Sequence, residues 1–382
     1  MAEGSDTVAV GALPEVGQRL RQRGVAVDVD VVSSDRAAEW DGYVNLAPTH
    51  DAFHHRDYAT AVARGEPLLV VVRHASALWM LPVEVYRSRI VGVDTVDARS
   101  AYGYSGPVWT VDWPDGLHES AWRRVADTLC EMGVVTLLLR LHPTLPAPPV
   151  LPHGAMTRHE GDVVVMPLDI GEDAYWGTMR RGHRKNLRRA LREELVVQVE
   201  RGTSTILEFH SIYKATMDRL TTQDDYRRFG MEAFKQILQS PEVRAHLVTV
   251  RDRATLLAAG IFLAHGTCGH YFLSGSAVDH AYGSRPTRLM IHHARSVLAS
   301  EGCSVLNLGG GLGARRDALF AFKAEFSDTT LPYRTVRWVL DGRRYGTRCH
   351  LAGMKEPPRL DDGWFPAYLA PVKAAVADED LQ

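Results

Sequence analysis

Short, dense apolar runs separated by turn-forming residues dominate the first half of the chain. In "PLLVVVRHASALWMLPVEVYR" (67–87) two such runs flank a polar break, which predicts a strand, a turn and a second strand. "HESAWRRVADTLCEMG" (118–133) has helical spacing and closes on Gly133, and "VVTLLLRL" (134–141) reads as a buried strand. The five prolines of "HPTLPAPPVLPHG" (142–154) exclude a regular element and mark a connection. Beyond it come a strand "VVVMPLDI" (163–170) and a basic helix "TMRRGHRKNLRRALREE" (178–194). Helices "STILEFHSIYKATMDRL" (204–220) and "MEAFKQILQS" (231–240) follow, then strands "RAHLVTVR", "TLLAAGIFLAHG" and "GHYFLSGSA". A helix "TRLMIHHARSVLASEG" (287–302), a strand "SVLNLGGG" (304–311) and a last strand "LPYRTVRWVL" (331–340) complete the pattern.

Strands, a helix and one more strand thus occur twice. The arrangement is mixed α/β without regular β-α alternation, which argues against a doubly wound parallel sheet. Residues 1 to about 27 read as a loose lead-in, 28–162 as one unit and 163–345 as a second. The segment 346–382 is expected to pack back on the first unit.

Composition narrows the classes. The 382 residues carry a net charge of −2, so any polyanion contact must come from a local patch. No secretory leader is visible, and no apolar run reaches the ~18–20 residues of a membrane helix, so a cytoplasmic protein without membrane insertion is expected. Cys130, Cys268, Cys303 and Cys349 lack paired spacing and read as buried thiols. His50 with His54, and His292 with His293, lack a third ligand nearby in sequence, so no metal is expected.

One stretch asks for chemistry: "NLGGGLGARRDALFAFKAEF" (307–326). Its glycines, at 309, 310, 311 and 313, match neither the dinucleotide fingerprint nor a Walker loop, for which no lysine follows Gly313. A plain turn after a buried strand remains an alternative. The basic stretch carries seven cations between Arg180 and Arg192, with Leu187, Ala190 and Leu191 as a narrow apolar stripe. That is the footprint of a phosphate-binding face, the alternative being a solvated helix.

Several stretches together resemble the FemABX-type aminoacyltransferases. They are "DARSAYGYSGPV" (97–108), "RLHP" (140–143), "YWGTMRRGHRKNLRRA" (175–190), "YKATMDRL" (213–220), and "NLGGG" followed by "FAFKAEF" (320–326). The resemblance runs in order from about residue 50 to 340 and implies two tandem GNAT-like acyltransferase domains. It implies transfer of an aminoacyl group from aminoacyl-tRNA to the amine of a small natural-product intermediate or a peptidoglycan precursor. No other cofactor is required. Lys323 takes the catalytic role, stabilising the oxyanion that ester aminolysis creates, with Phe320, Phe322 and Phe326 keeping water away. That Lys323 is one of six lysines against 38 arginines favours a compact point charge there. Its head is expected near solvent, of little weight in stability.

Tyr102, Tyr104, Arg219, Tyr271 and Phe322 are expected to bind substrate, with Arg219 facing the anionic part of the acceptor. Tyr226 follows nearby. Arg181, Arg184, Lys185 and Arg188 are expected to hold the tRNA acceptor end. Asp97 and Asp112 are considered as bases and neither is assigned. The helical-hairpin insertion of some members is missing, which thins the tRNA contacts. Two rivals stay open: an acyl-CoA-dependent N-acyltransferase, weakened by Pro286 where a pyrophosphate-binding turn is needed, and a catalytically inert binding protein for an anionic ligand.

Overall fold

A computed structural model describes residues 27–220, 229–278 and 281–370. No helix among them is long and apolar enough to cross a membrane. The strands are β1 Asp28–Ser33, β2 Glu66–His74, β3 Ala77–Ile90, β4 Val93–Arg99, β5 Val108–Trp109, β6 Val134–Arg140 and β7 Met156–Pro167. They continue with β8 Val196–Glu200, β9 Arg244–Asp252, β10 Thr255–His265, β11 Cys268–Ser276, β12 Val305–Gly309 and β13 Thr330–Val339. All join one mixed sheet in the order β1-β2-β3-β4-β6-β13-β7-β12-β11-β10-β9-β8, with β5 on β3.

The two halves repeat one plan. In each, three antiparallel strands (β2–β4, β9–β11) lead into a helix (His118–Glu131, Arg285–Ser300), and the next strand pairs parallel to the third. β6 lies parallel to β4, and β12 parallel to β11. Each helix returns over its sheet because a parallel neighbour requires a crossover. The final strands are then exchanged. β7, which follows β6 in the chain, pairs with β12, while β13, which follows β12, pairs with β6. β7 and β13 pair with each other across the middle, so β7 spans the 162/163 position read from sequence as a boundary.

Burial follows pattern. In β10, Leu257 to Ala264 are all buried, as expected of a strand covered on both faces. A core of Ala52, Phe53, Tyr58 and Val62 from the first half joins Phe209, Tyr213, Phe234 and Leu247 from the second. Phe365 and Tyr368, from the C-terminal segment, pack with Tyr345 against Ile90 and Val135, and Tyr368 Oη donates to Asp97 Oδ1 at 2.5 Å.

The basic helix is shorter than its sequence suggests. A separate helix, Glu172–Thr178, precedes it, and the helix proper is Arg181–Ala190. Met179 and Arg180 are extended because Met179 is buried in the core and Arg180 N donates to Glu325 O at 3.2 Å. Leu191 therefore falls outside the helix and is 44% exposed, and the inner positions are His183, Leu187 and Ala190.

Candidate active site

β11 and β12 pair only through Cys268–His270 and Val305–Asn307. Beyond that point the strands part, and residues from both sides of the gap line a cavity of about 680 Å³. Tyr102, Tyr104, Arg219, Tyr271, Phe322 and Lys323 all line it, from segments spread over two hundred residues of sequence. Arg181, Arg184, Lys185 and Arg188 do not line it, nor do Asp97 and Asp112. Tyr226 lies outside the described residues.

The glycine run shapes the floor. Gly309 follows a register shift between β12 and β7 and has φ +77, a conformation glycine adopts without strain. A Cβ on Gly310 would lie 2.8 Å from Asp162 O, and one on Gly311 would lie 2.1 Å from Arg315 O. The glycines are thus demanded by backbone packed against β7 and by the turn itself. Asp317 then pins the turn: Oδ2 accepts from Leu312 N and Oδ1 caps the helix Ala318–Lys323 at Phe320 N, both at 2.9 Å.

That helix delivers Lys323 to the cavity floor, where Nζ donates to Gly310 O at 2.7 Å and lies 5.8 Å from the centre of the Tyr271 ring. Only 8% of Lys323 is exposed, so its head is buried and not near solvent as its sequence context suggests. The helix has six residues, too short for a periodicity that would reveal its inward face. Burial pushes the ammonium down to about 8, with the charge of Asp317 opposing. Phe326 packs on His183, while Phe322 lines the cavity with the Arg288 guanidinium above its ring.

The tyrosine segment is set by Gly103, with φ +99, where a Cβ would lie 2.6 Å from the Phe53 ring. The Tyr104 ring packs on Phe53 and Tyr333, and that of Tyr102 on Phe229 and Phe272. Tyr58 Oη donates to Tyr102 O at 2.8 Å. Tyr271 contacts Ser274 through its hydroxyl, and burial raises its pKa to about 12, so it is a neutral donor. Arg219 is exposed at the rim, its Nη2 3.5 Å from Ser276 O.

The cavity also holds Arg140, which donates to Ser100 O at 3.1 Å, and the buried His270; neither had been given a role from sequence. His270 Nε2 donates to Asp51 Oδ2 at 2.9 Å, and His142 Nε2 donates to the same oxygen at 3.0 Å. Burial disfavours the His270 charge, yet the carboxylate of Asp51 overrides it and raises His270 to about 10. Desolvation likewise opposes the Asp51 charge, but both imidazoles hold its carboxyl well below the usual range. His270 is therefore a second fixed cation on the wall. The 219 residues between its partners hide the pair from sequence reading.

The cationic helix abuts this site from outside. His183 contacts Arg288, and Arg288 pairs with Glu325 at 2.6 Å, two residues after Lys323. Arg184 Nη1 donates to Trp176 O at 3.1 Å, and Arg188 lies over the Trp176 ring, while Arg181, Lys185 and Arg188 are exposed.

Residues 177–319 match the acetyltransferase (GNAT) domain family. The chain has the fold of FemX, at TM-score 0.60 and 12% identity over 83% of this chain and 98% of FemX. It is similar also to a conserved protein of unknown function from Bacteroides thetaiotaomicron, at TM-score 0.52 and 9% identity over 79% of this chain and 97% of that one. A tandem GNAT protein from the clavulanic acid biosynthesis pathway aligns at TM-score 0.44 and 11% identity over 81% and 98%. No curated protein matches the sequence. The chain thus carries a GNAT acyltransferase domain within a FemX-like α/β fold, in agreement with the FemABX-type resemblance.

The buried ammonium has a measurable consequence. A lysine whose folded pKa lies near 8 and whose unfolded pKa is 10.5 binds fewer protons when folded between those values, so stability rises with pH across that window. In denaturant unfolding, the stability of the wild type minus that of Lys323→Met should rise by roughly 2–3 kcal/mol from pH 7 to pH 10.5. A flat difference would return Lys323 to solvent.

Proposed function

We propose that the protein is an aminoacyltransferase that moves an aminoacyl group from aminoacyl-tRNA to the amine of a small-molecule or peptide acceptor, forming an amide. The observation that carries this reading is Lys323 Nζ, buried and held 2.7 Å from Gly310 O on the floor of a cavity rich in aromatic hydroxyls and cations. The acceptor amine attacks the ester carbonyl carbon. A C–N bond forms, the C–O bond to the ribose breaks, and the amine's proton leaves to the departing ribose hydroxyl or to water. The carbonyl oxygen carries negative charge in between, and the Lys323 ammonium stabilises it where it develops. Below about pH 8 that ammonium is charged, so it acts as a cation and not as a base.

Around that centre, Tyr102, Tyr104 and Tyr271 orient the acceptor, and Phe322 excludes water. Arg219 at the rim and Arg140 and His270 deeper in suit an acceptor with an anionic group. The exposed cations Arg181, Lys185 and Arg188 would meet the phosphates of the tRNA acceptor end.

A second reading, acyl-CoA as donor, has one observation in its favour. Gly283, Ser284 and Thr287, at the start of the helix Arg285–Ser300, line the cavity, and a helix N-terminus favours phosphate. Against it, Pro286 in the first turn removes a backbone donor.

Purified protein offered charged total tRNA and acetyl-CoA together, with a panel of amines, should add an aminoacyl mass, and ribonuclease should abolish the reaction. Replacing Arg181, Lys185 and Arg188 with alanine should flatten the salt dependence of tRNA binding by about 0.7–0.9 in slope per lost contact. Ribonuclease-resistant transfer that requires acetyl-CoA would establish the second reading instead.

Lys323→Ala should lower kcat by roughly a hundredfold or more with KM nearly unchanged, because the contact forms mainly in the transition state. Arginine there should rescue poorly, its planar head being too large for a place closed by Gly309 and Gly310. An unaltered kcat in Lys323→Ala would remove the lysine from the chemistry.

A further inference from the structure

Behind the cavity three histidines converge. His50 precedes the short turn Ala52–His54, His55 stands just before the helix Arg56–Val62, and His265 ends β10 in the other half. Their ring centroids lie 4.4 Å (His50–His265), 5.1 Å (His55–His265) and 5.2 Å (His50–His55) apart. One ring nitrogen from each falls within 4.8 Å of the others.

Their hydrogen bonds fix which nitrogens face inward. His50 Nδ1 donates to Ala47 O at 2.6 Å, and His55 Nδ1 donates to Asp41 Oδ1 at 3.0 Å. With both Nδ1 atoms protonated, both Nε2 atoms carry lone pairs. His265 Nε2 is within hydrogen-bond distance of His55 Nε2, at 3.3 Å, and so carries the shared proton when no metal is bound; His265 Nδ1 is buried with no hydrogen-bond partner among the described residues and can take that proton when a metal binds. Two ligand nitrogens at ~2.0–2.1 Å from a tetrahedral zinc ion stand about 3.3–3.4 Å apart. A carbonyl and a carboxylate on the outer N–H groups are the usual supports of metal-bound imidazoles.

We propose that His50, His55 and His265 bind one divalent d-block metal ion, zinc in the first place, which ties the two halves of the chain together behind the cavity. Three neutral imidazoles suit zinc, cobalt, nickel or copper and not the oxygen-seeking magnesium or calcium. His50 and His265 are half-buried, which leaves a fourth position for water. The clamp would fix the loop 50–55, and with it Asp51, against His142 and His270.

In a second group of donors nearby, Asp51, His142, Cys268 and His270, the Nε2 atoms of both histidines already donate to Asp51 Oδ2. Backbone N–H groups of Thr144 and Leu145 donate to His142 Nδ1 at 3.2 and 3.1 Å, so the ring's proton sits on Nε2, where it binds Asp51. A metal at that nitrogen would have to displace it.

The test uses the full chain, stripped with a chelator and titrated with zinc against a chromophoric competitor, with elemental analysis after dialysis. One zinc per chain is expected. His50→Ala and His265→Ala should each weaken binding roughly a hundredfold or more, Asp41→Asn roughly 10–100-fold, and Cys268→Ser not at all. Cobalt in place of zinc should give visible d–d bands without a thiolate charge-transfer band. Because His50 is half-buried, its variant should melt like the stripped wild type, which separates lost binding from misfolding. No binding tighter than micromolar, equal zinc in wild type and both histidine variants, or loss of zinc in Cys268→Ser with a thiolate band would each overturn the proposal.

Discussion

The antiparallel pairing of β7 with β13 is the constraint on which the rest of the molecule depends. It runs from Thr330 against Val164 to Arg337 against Met156, with a register shift at Tyr333. Each of these strands also pairs with the half of the sheet opposite its sequence neighbour. Neither half can therefore complete its sheet alone, and the two are locked as one. The close approach of other backbone to β7 follows. A Cβ on Gly161 would lie 2.0 Å from Ala314 O, and one on Gly310 would lie 2.8 Å from Asp162 O. The glycine-rich turn is pressed against the seam, and Lys323 is held on top of it.

Electrostatics in the cavity then follow from burial. Lys323 loses hydration and keeps only the Gly310 carbonyl as a direct partner among the described residues, so its charge is under-compensated. His270 is the opposite case, a buried imidazolium matched by Asp51. In the proposed transfer the first cation would face the developing oxyanion, whereas the second is held by its partner. A low-dielectric site makes the first more effective than an exposed lysine would be.

Much of this was legible in the sequence because strands buried on both faces read as continuous apolar runs, as in β10 and β6. Apart from the basic stretch 175–190, the ordered motifs from "YGYSGP" to "FAFKAEF" also marked segments that the fold brings to one cavity. Other features were hidden for physical reasons. The basic helix starts only at Arg181 because Met179 is buried and Arg180 is tied to Glu325, tertiary contacts that no local propensity records. The glycine run did not reveal what it packs against, which proved to be β7 and the turn's own backbone. His270 with Asp51, and His265 with His55, are separated by more than two hundred residues, so spacing rules could not join them.

The desolvation of the Lys323 ammonium on the cavity floor is directly observable, because the chain is poor in lysine. With six lysines in 382 residues, the side-chain resonances of lysine-labelled protein can be followed individually by NMR as pH is raised. One resonance, absent in Lys323→Arg, should titrate near pH 8. Six lysines titrating together near 10.5 would contradict the account, since a lysine with ordinary hydration would not be the buried charge on which the proposed transfer depends.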